Sequence, residues 1–172
     1  MLSFRGVTAW TLVWLFIGLA LGGCGFEPLY GGRDGGATPA ELAQVRIDVI
    51  SDRSGQILRN FLLDRLNPNG RPDRPVFTLE INLIERREDL SIRKDEVATR
   101  ANFVVTAEYR LRETGAGREL TRGQVRSSNS FNIGISEFAT LSGEADARNR
   151  ALREIGDEIK IRLGIYFDAR RA

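Results

Sequence analysis

Val97-Ala98-Thr99-Arg100-Ala101-Asn102-Phe103-Val104-Val105-Thr106-Ala107-Glu108-Tyr109-Arg110-Leu111-Arg112 is the stretch on which the fold turns. Val97, Thr99, Ala101, Phe103, Val105, Ala107, Tyr109 and Leu111 fall on one side of an extended chain, with Arg100, Asn102, Thr106, Glu108, Arg110 and Arg112 on the other. Such a period of two residues marks a strand with one face on a core and one in water. Gly115-Ala116-Gly117 then supplies a hairpin loop, so Arg118–Ser130 should return beside it. That returning segment alternates poorly and has few apolar residues, as an edge or strongly solvated strand would.

Working outward, Phe77, Leu79, Ile81 and Leu83 alternate with Thr78, Glu80 and Asn82, which predicts a strand over Val76–Arg86. Val45-Arg46-Ile47-Asp48-Val49 has the same pattern. Between these two strands, Ser51, Asp52 and Ser54 offer helix caps, and Ile57, Leu58, Phe61, Leu62 and Leu66 recur at helical spacing. Asn67-Pro68-Asn69-Gly70 stops that helix, because the residue before proline avoids the α region. Beyond Phe131-Asn132-Ile133 a second helix is expected from about Glu137 or Gly143 to Leu163. Its stripe is Leu141, Ala145, Leu152, Ile155, Ile159 and Leu163, with Arg148 intruding. The order β-α-β-β-β-α implies an α+β two-layer sandwich: a roughly four-stranded mixed or antiparallel sheet, two helices on one face, and a polar face opposite.

The chain has 172 residues, no histidine and one cysteine, Cys24. Met1, Trp10 and Trp14 all precede it, so everything after Cys24 lacks His, Cys, Met and Trp. Without imidazole or thiolate, no Ser-His-Asp triad, Cys-His dyad, zinc site or iron–sulfur cluster can be assembled. A lone cysteine also excludes a disulfide within the chain. Carboxylates alone would allow a glycan hydrolase, and Glu80, Glu85, Glu88, Glu108 and Glu113 offer pairs, but the plainer reading is solvated acids on strand edges.

Residues 1–23 read as an export signal: Arg5 near the amino terminus, then an apolar run over Val7–Leu21, short for a spanning helix. Leu21-Gly22-Gly23-Cys24 resembles the lipobox of bacterial lipoproteins. That resemblance implies cleavage before Cys24 and acyl chains on it; an uncleaved amino-terminal anchor is the other reading. Gly25 in place of Asp points, by the same resemblance, to the outer membrane. Residues 24–40 read as the lipidated cysteine and a Gly-rich linker, 41–167 as a single domain, and 168–172 as a tail. After Cys24 arginine outnumbers lysine heavily, only Lys94 and Lys160 being lysine. Arginine's planar fork suits phosphate, although codon usage in a GC-rich genome would give the same bias. Acids and bases nearly cancel, which argues against nucleic acid as a partner.

Several segments together resemble the lipopolysaccharide-assembly lipoprotein family LptE in its alphaproteobacterial form. They are Cys24-Gly25-Phe26-Glu27-Pro28-Leu29-Tyr30-Gly31, Arg59–Pro68, Ala98–Asn102 with Ala107-Glu108-Tyr109, Ser127–Ile133, and Phe138–Leu141 with Asp146-Ala147-Arg148. The resemblance implies a lipoprotein on the periplasmic side of the outer membrane that inserts into an LptD-like β-barrel and assists lipopolysaccharide delivery. It implies no catalysis and no cofactor beyond the acyl chains on Cys24. Arg93, Lys94 and Arg100 are the candidate lipopolysaccharide contacts, since they bracket the junction of the loop Glu88–Glu96 with the third strand, where the family is thought to touch glycolipid. Alternatively, Arg93 and Lys94 pair with Asp89, Asp95 and Glu96 on a solvated loop, or the chain is another outer-membrane accessory lipoprotein without lipopolysaccharide contact.

Overall fold

The structure, a computed structural model, describes residues 38–90, 99–134 and 136–171. Its elements are α1 (Thr38–Leu42), β1 (Val45–Ile47), α2 (Asp52–Leu66), β2 (Phe77–Leu90), β3 (Arg100–Glu113), β4 (Glu119–Asn132) and α3 (Glu137–Ala169). The sheet order is β1-β2-β3-β4, with β1 parallel to β2 and the other pairs antiparallel. The expected α+β sandwich with a mixed sheet is therefore present, with the short helix α1 added ahead of the expected order.

Register explains the layering. On one face lie Phe77, Leu79, Ile81 and Leu83 of β2, Ala101, Phe103, Val105, Ala107, Tyr109 and Leu111 of β3, and Val125 and Phe131 of β4. Together with Val45 and Ile47 they meet Leu58, Leu62 and Leu66 of α2 and Ala147, Ala151, Leu152, Ile155, Ile159, Leu163 and Phe167 of α3 in one core. Lengths match as well: α3 has 33 residues, about 50 Å of helix, and the three long strands have 14 each, about 46 Å. α3 lies over β4 and β3, with α2 beside it.

Three elements run past their expected ends. β2 continues four residues past Arg86 to Leu90, because the ladder to β3 persists after apolar alternation has ceased. Glu88, Asp89 and Leu90 accordingly belong to a strand and not to the loop Glu88–Glu96. β4 runs to Asn132, and α3 continues to Ala169, through the start of the expected tail. Leu141 (58 % exposed) and Ala145 stay out of the core, since the first turns of α3 overhang the domain where α2 has not yet begun. Other signals hold: Gly115 and Gly117 turn the β3–β4 hairpin at φ +87° and +64°, and Asn67 ends α2, its N–H on the Leu63 carbonyl at 2.9 Å and its Nδ2 on Ala43 O at 3.1 Å.

The helices lock through Gly156, which leaves room for Leu58, Phe61 and Arg65. Arg65 reaches across with a two-pronged grip on Asp157, its Nη2 3.1 Å from Oδ2, and its guanidinium lies 5.5 Å from the Phe61 ring centre. The hydrogen bonds from Arg65 hold the Asp157 carboxyl below its ordinary pKa. A lowered carboxylate pKa gives stability that is complete above the unfolded-state value, about 4, and lost as pH falls through the folded-state value. Asp157→Asn should flatten the decline in melting temperature below pH 4 while costing at most about 1 kcal/mol at pH 7, the pair being half exposed. Thermal melts of both proteins from pH 7 to 2 check this.

Candidate functional site

The sheet face turned away from the helices is built by the other half of the alternation. Arg86 of β2, Arg100, Arg110 and Arg112 of β3, and Arg122 and Arg126 of β4 lie there with Glu80, Glu88 and Glu108 among Thr, Ser, Asn and Gln side chains. Three of these arginines have carboxylate partners: Arg112 with Glu80 at 3.4 Å, Arg122 with Glu119 at 3.8 Å, Arg126 with Glu88 at 3.6 Å. Arg86, Arg100 and Arg110 have none among the described residues. Val104 is a buried apolar residue on this face, between its register neighbours Arg86 and Ser128, while Ile84 and Leu90 add apolar surface. The face is broad, cationic and hydrated, with small apolar islands.

Arg100 sits at the start of β3, exposed, opposite Leu90 on one side and Asn132 on the other. Arg93, Lys94 and Cys24 lie outside the described residues. Arg86 was missed by sequence reading. Extending the two-residue period from Phe77 would have placed it on the same face as Arg100. The five glutamates do not converge: Glu80, Glu88 and Glu108 are on the outer face, Glu85 and Glu113 on the inner. Four of them bind arginines, Glu85 with Arg148 at 3.5 Å and Glu113 with Arg118 at 3.0 Å beside the two pairs above.

A cleft of about 480 Å³ opens where α2 starts beside α3, lined by Ser51, Ser54, Leu83, Glu85, Arg148 and Asn149 among others. Arg148, the intruder in the apolar stripe, explains itself here. Its guanidinium covers Phe103 at 4.4 Å from the ring centre and bonds Glu144 at 2.9 Å as well as Glu85. Two carboxylates neutralise that cation, so Arg148 offers no ready anion grip, and the open sheet face with its several arginines is the stronger candidate surface. Among the described residues no group of three His, Cys, Asp or Glu could hold a metal.

The family model for lipopolysaccharide assembly, LptE, matches residues 42–163, which span the domain from the end of α1 to the late turns of α3. The chain belongs to the LptE family. Among solved structures, a lipoprotein from Caulobacter crescentus CB15 shares 22 % identity with a TM-score of 0.65, covering 78 % of this chain and 97 % of that one. A minor lipoprotein from Acinetobacter baumannii shares 12 % identity at TM-score 0.57, covering 70 % and 90 %. Lipoprotein B from Nitrosomonas europaea shares 14 % at 0.56, covering 73 % and 84 %. At such identities the likeness shows a common fold. No curated protein matches significantly. Placed on the LptE family, the matched span contains the whole cationic face, from Glu80 to Asn132.

Proposed function

We propose that this LptE-family chain is an outer-membrane lipoprotein, anchored through acyl chains on Cys24, that seats in the lumen of an LptD-like β-barrel and helps pass lipopolysaccharide to the outer leaflet. The observation that carries the reading is the open sheet face. Barrel lumens are polar and wet, and a face of arginines, serines and asparagines can enter one without stranding apolar surface. Free guanidinium forks at Arg86 and Arg100 suit the phosphates of a glycolipid, with Ile84 and Leu90 beside them for acyl carbon. No described helix is long and apolar enough to cross a membrane, and two or more acyl chains on Cys24 would be enough to anchor the protein stably.

Affinity purification of the tagged full-length protein from its own envelope tests this. A large β-barrel should be recovered in stable complex; recovery of unrelated envelope proteins alone would sink the reading. The triple variant Arg93→Ala, Lys94→Ala, Arg100→Ala is expected to weaken lipopolysaccharide binding about tenfold, roughly 1.4 kcal/mol, with barrel recovery intact. A barrel partner without measurable glycolipid binding would leave an accessory lipoprotein. Cys24→Ala should leave precursor in the inner membrane, seen by fractionation.

A further inference from the structure

β4 is the free edge of the sheet, 14 residues long and paired only to β3 among the described strands. Backbone N–H and C=O groups of alternate residues in such a strand point outward, unpaired, and an exposed row of them is a template for another strand. In β4 the outward set is even-numbered, because the Gln124 and Ser130 carbonyls accept hydrogen bonds from outside the sheet. Arg162 Nη1 donates to Gln124 O at 3.0 Å, and Arg150 Nη2 donates to Ser130 O at 3.2 Å. Both arginines come from α3, which runs antiparallel to β4.

The spacing is matched. Twelve helical residues separate Arg150 from Arg162, about 18 Å, and six strand residues separate their acceptors, about 20 Å. Each guanidinium is steadied by the acid one turn earlier, Arg150 by Asp146 and Arg162 by Glu158 at 2.7 Å. Between them Glu154 accepts from Ser127 and Asn129, and Arg150 also donates to Asn129 Oδ1 at 3.2 Å. A ladder of Arg150, Glu154 and Arg162 therefore folds over the edge, leaving the outward groups of Arg126 and Ser128 as the gap between its rungs.

We infer that this ladder guards β4 against strand addition by a second copy of the chain. The strand is suited to pair with itself. Antiparallel pairing about Ser127 sets Arg126 against Ser128, Gln124 against Ser130 and Arg122 against Asn132, with no like charges opposed. Nothing in the sequence of β4 forbids such a dimer: it has no proline and no lysine. The guard lies instead on the helix, and its arginines occupy carbonyls that the second strand would need. Removing them opens the edge while the core stripe of α3 is untouched.

The test uses the full-length protein in mild detergent. Wild type should be monomeric by native mass spectrometry across a hundredfold concentration range. Arg150→Ala with Arg162→Ala should dimerise with concentration, and the amides of Arg126 and Ser128 should gain at least tenfold protection from hydrogen exchange in the dimer. Adding Ser128→Pro should restore the monomer, since its outward N–H is needed by the second strand and not by β3. A folded double variant that stays monomeric, or a dimer indifferent to Ser128→Pro, overturns the inference. If the double alanine variant melts too low to measure, Arg150→Gln with Arg162→Gln, which keeps the side-chain stems, is read by the same criteria.

Discussion

Phe167→Ala should unfold this domain more readily than almost any other single truncation, by about 3–5 kcal/mol. The ring is 1 % exposed, tilted against Phe77 at 5.0 Å between centres and edge-on to Tyr166 at 5.4 Å. It lies where the end of α3 meets the start of β2. For a domain with roughly 5–15 kcal/mol in total, that loss is large. At about 2–4 °C per kcal/mol, the melting temperature should fall by roughly 10 °C. A fall under 3 °C would mean that the last turns of α3 are not closed on the core as described.

Gly55→Ala and Gly156→Ala, the same substitution in two helices, should move stability in opposite directions. A Cβ at Gly55 would lie 2.7 Å from both the carbonyl oxygen and Cγ2 of Ile50, and the clash with backbone can be relieved only by shifting the β1–α2 connection. Overpacking of this kind costs about 1–3 kcal/mol, more than alanine regains over glycine in a helix. At Gly156 the added carbon would meet Leu58 Cδ1 and Phe61 Cβ at 3.7 Å, ordinary contact, so the helix preference of about 0.5–1 kcal/mol should appear as a gain. Paired urea or thermal melts decide it. Equal signs would refute the packing described at one of the two positions.

Much of the fold was legible because β3 alternates without a break, and every apolar residue expected on its inner face from Ala101 to Leu111 is buried. α2 was legible for the same reason, with Asn67-Pro68 marking its end. What escaped was set by neighbours. The tail of β2, Arg87-Glu88-Asp89-Leu90, carries no apolar alternation and is strand because β3 offers it a partner. Leu141 has the right spacing for the stripe of α3, but the helix outruns its cover. Phe167 continues the stripe four residues past Leu163, but the helix was expected to end at Leu163. Of the candidate site, the polar face could be read from alternation and Arg100 was correctly placed on it. Arg86 was within reach of the same alternation, and only the packed side chains show which arginines lack a carboxylate partner.

The two ends of the domain are tied to each other. α1 packs on the end of α3, and Glu41 pairs with Arg171 at 2.9 Å across 130 positions of sequence. Leu42, buried in the core, therefore gains its cover from α3 only when the last turns of that helix arrive. For a chain that emerges amino terminus first, hairpins β2–β3 and β3–β4 can close as they appear, but closure between α1 and α3 waits for the last turns of α3. Folding of this domain thus finishes only after the last turns of α3 have been delivered, which gives any handling factor a defined interval in which the apolar side of the sheet is still uncovered.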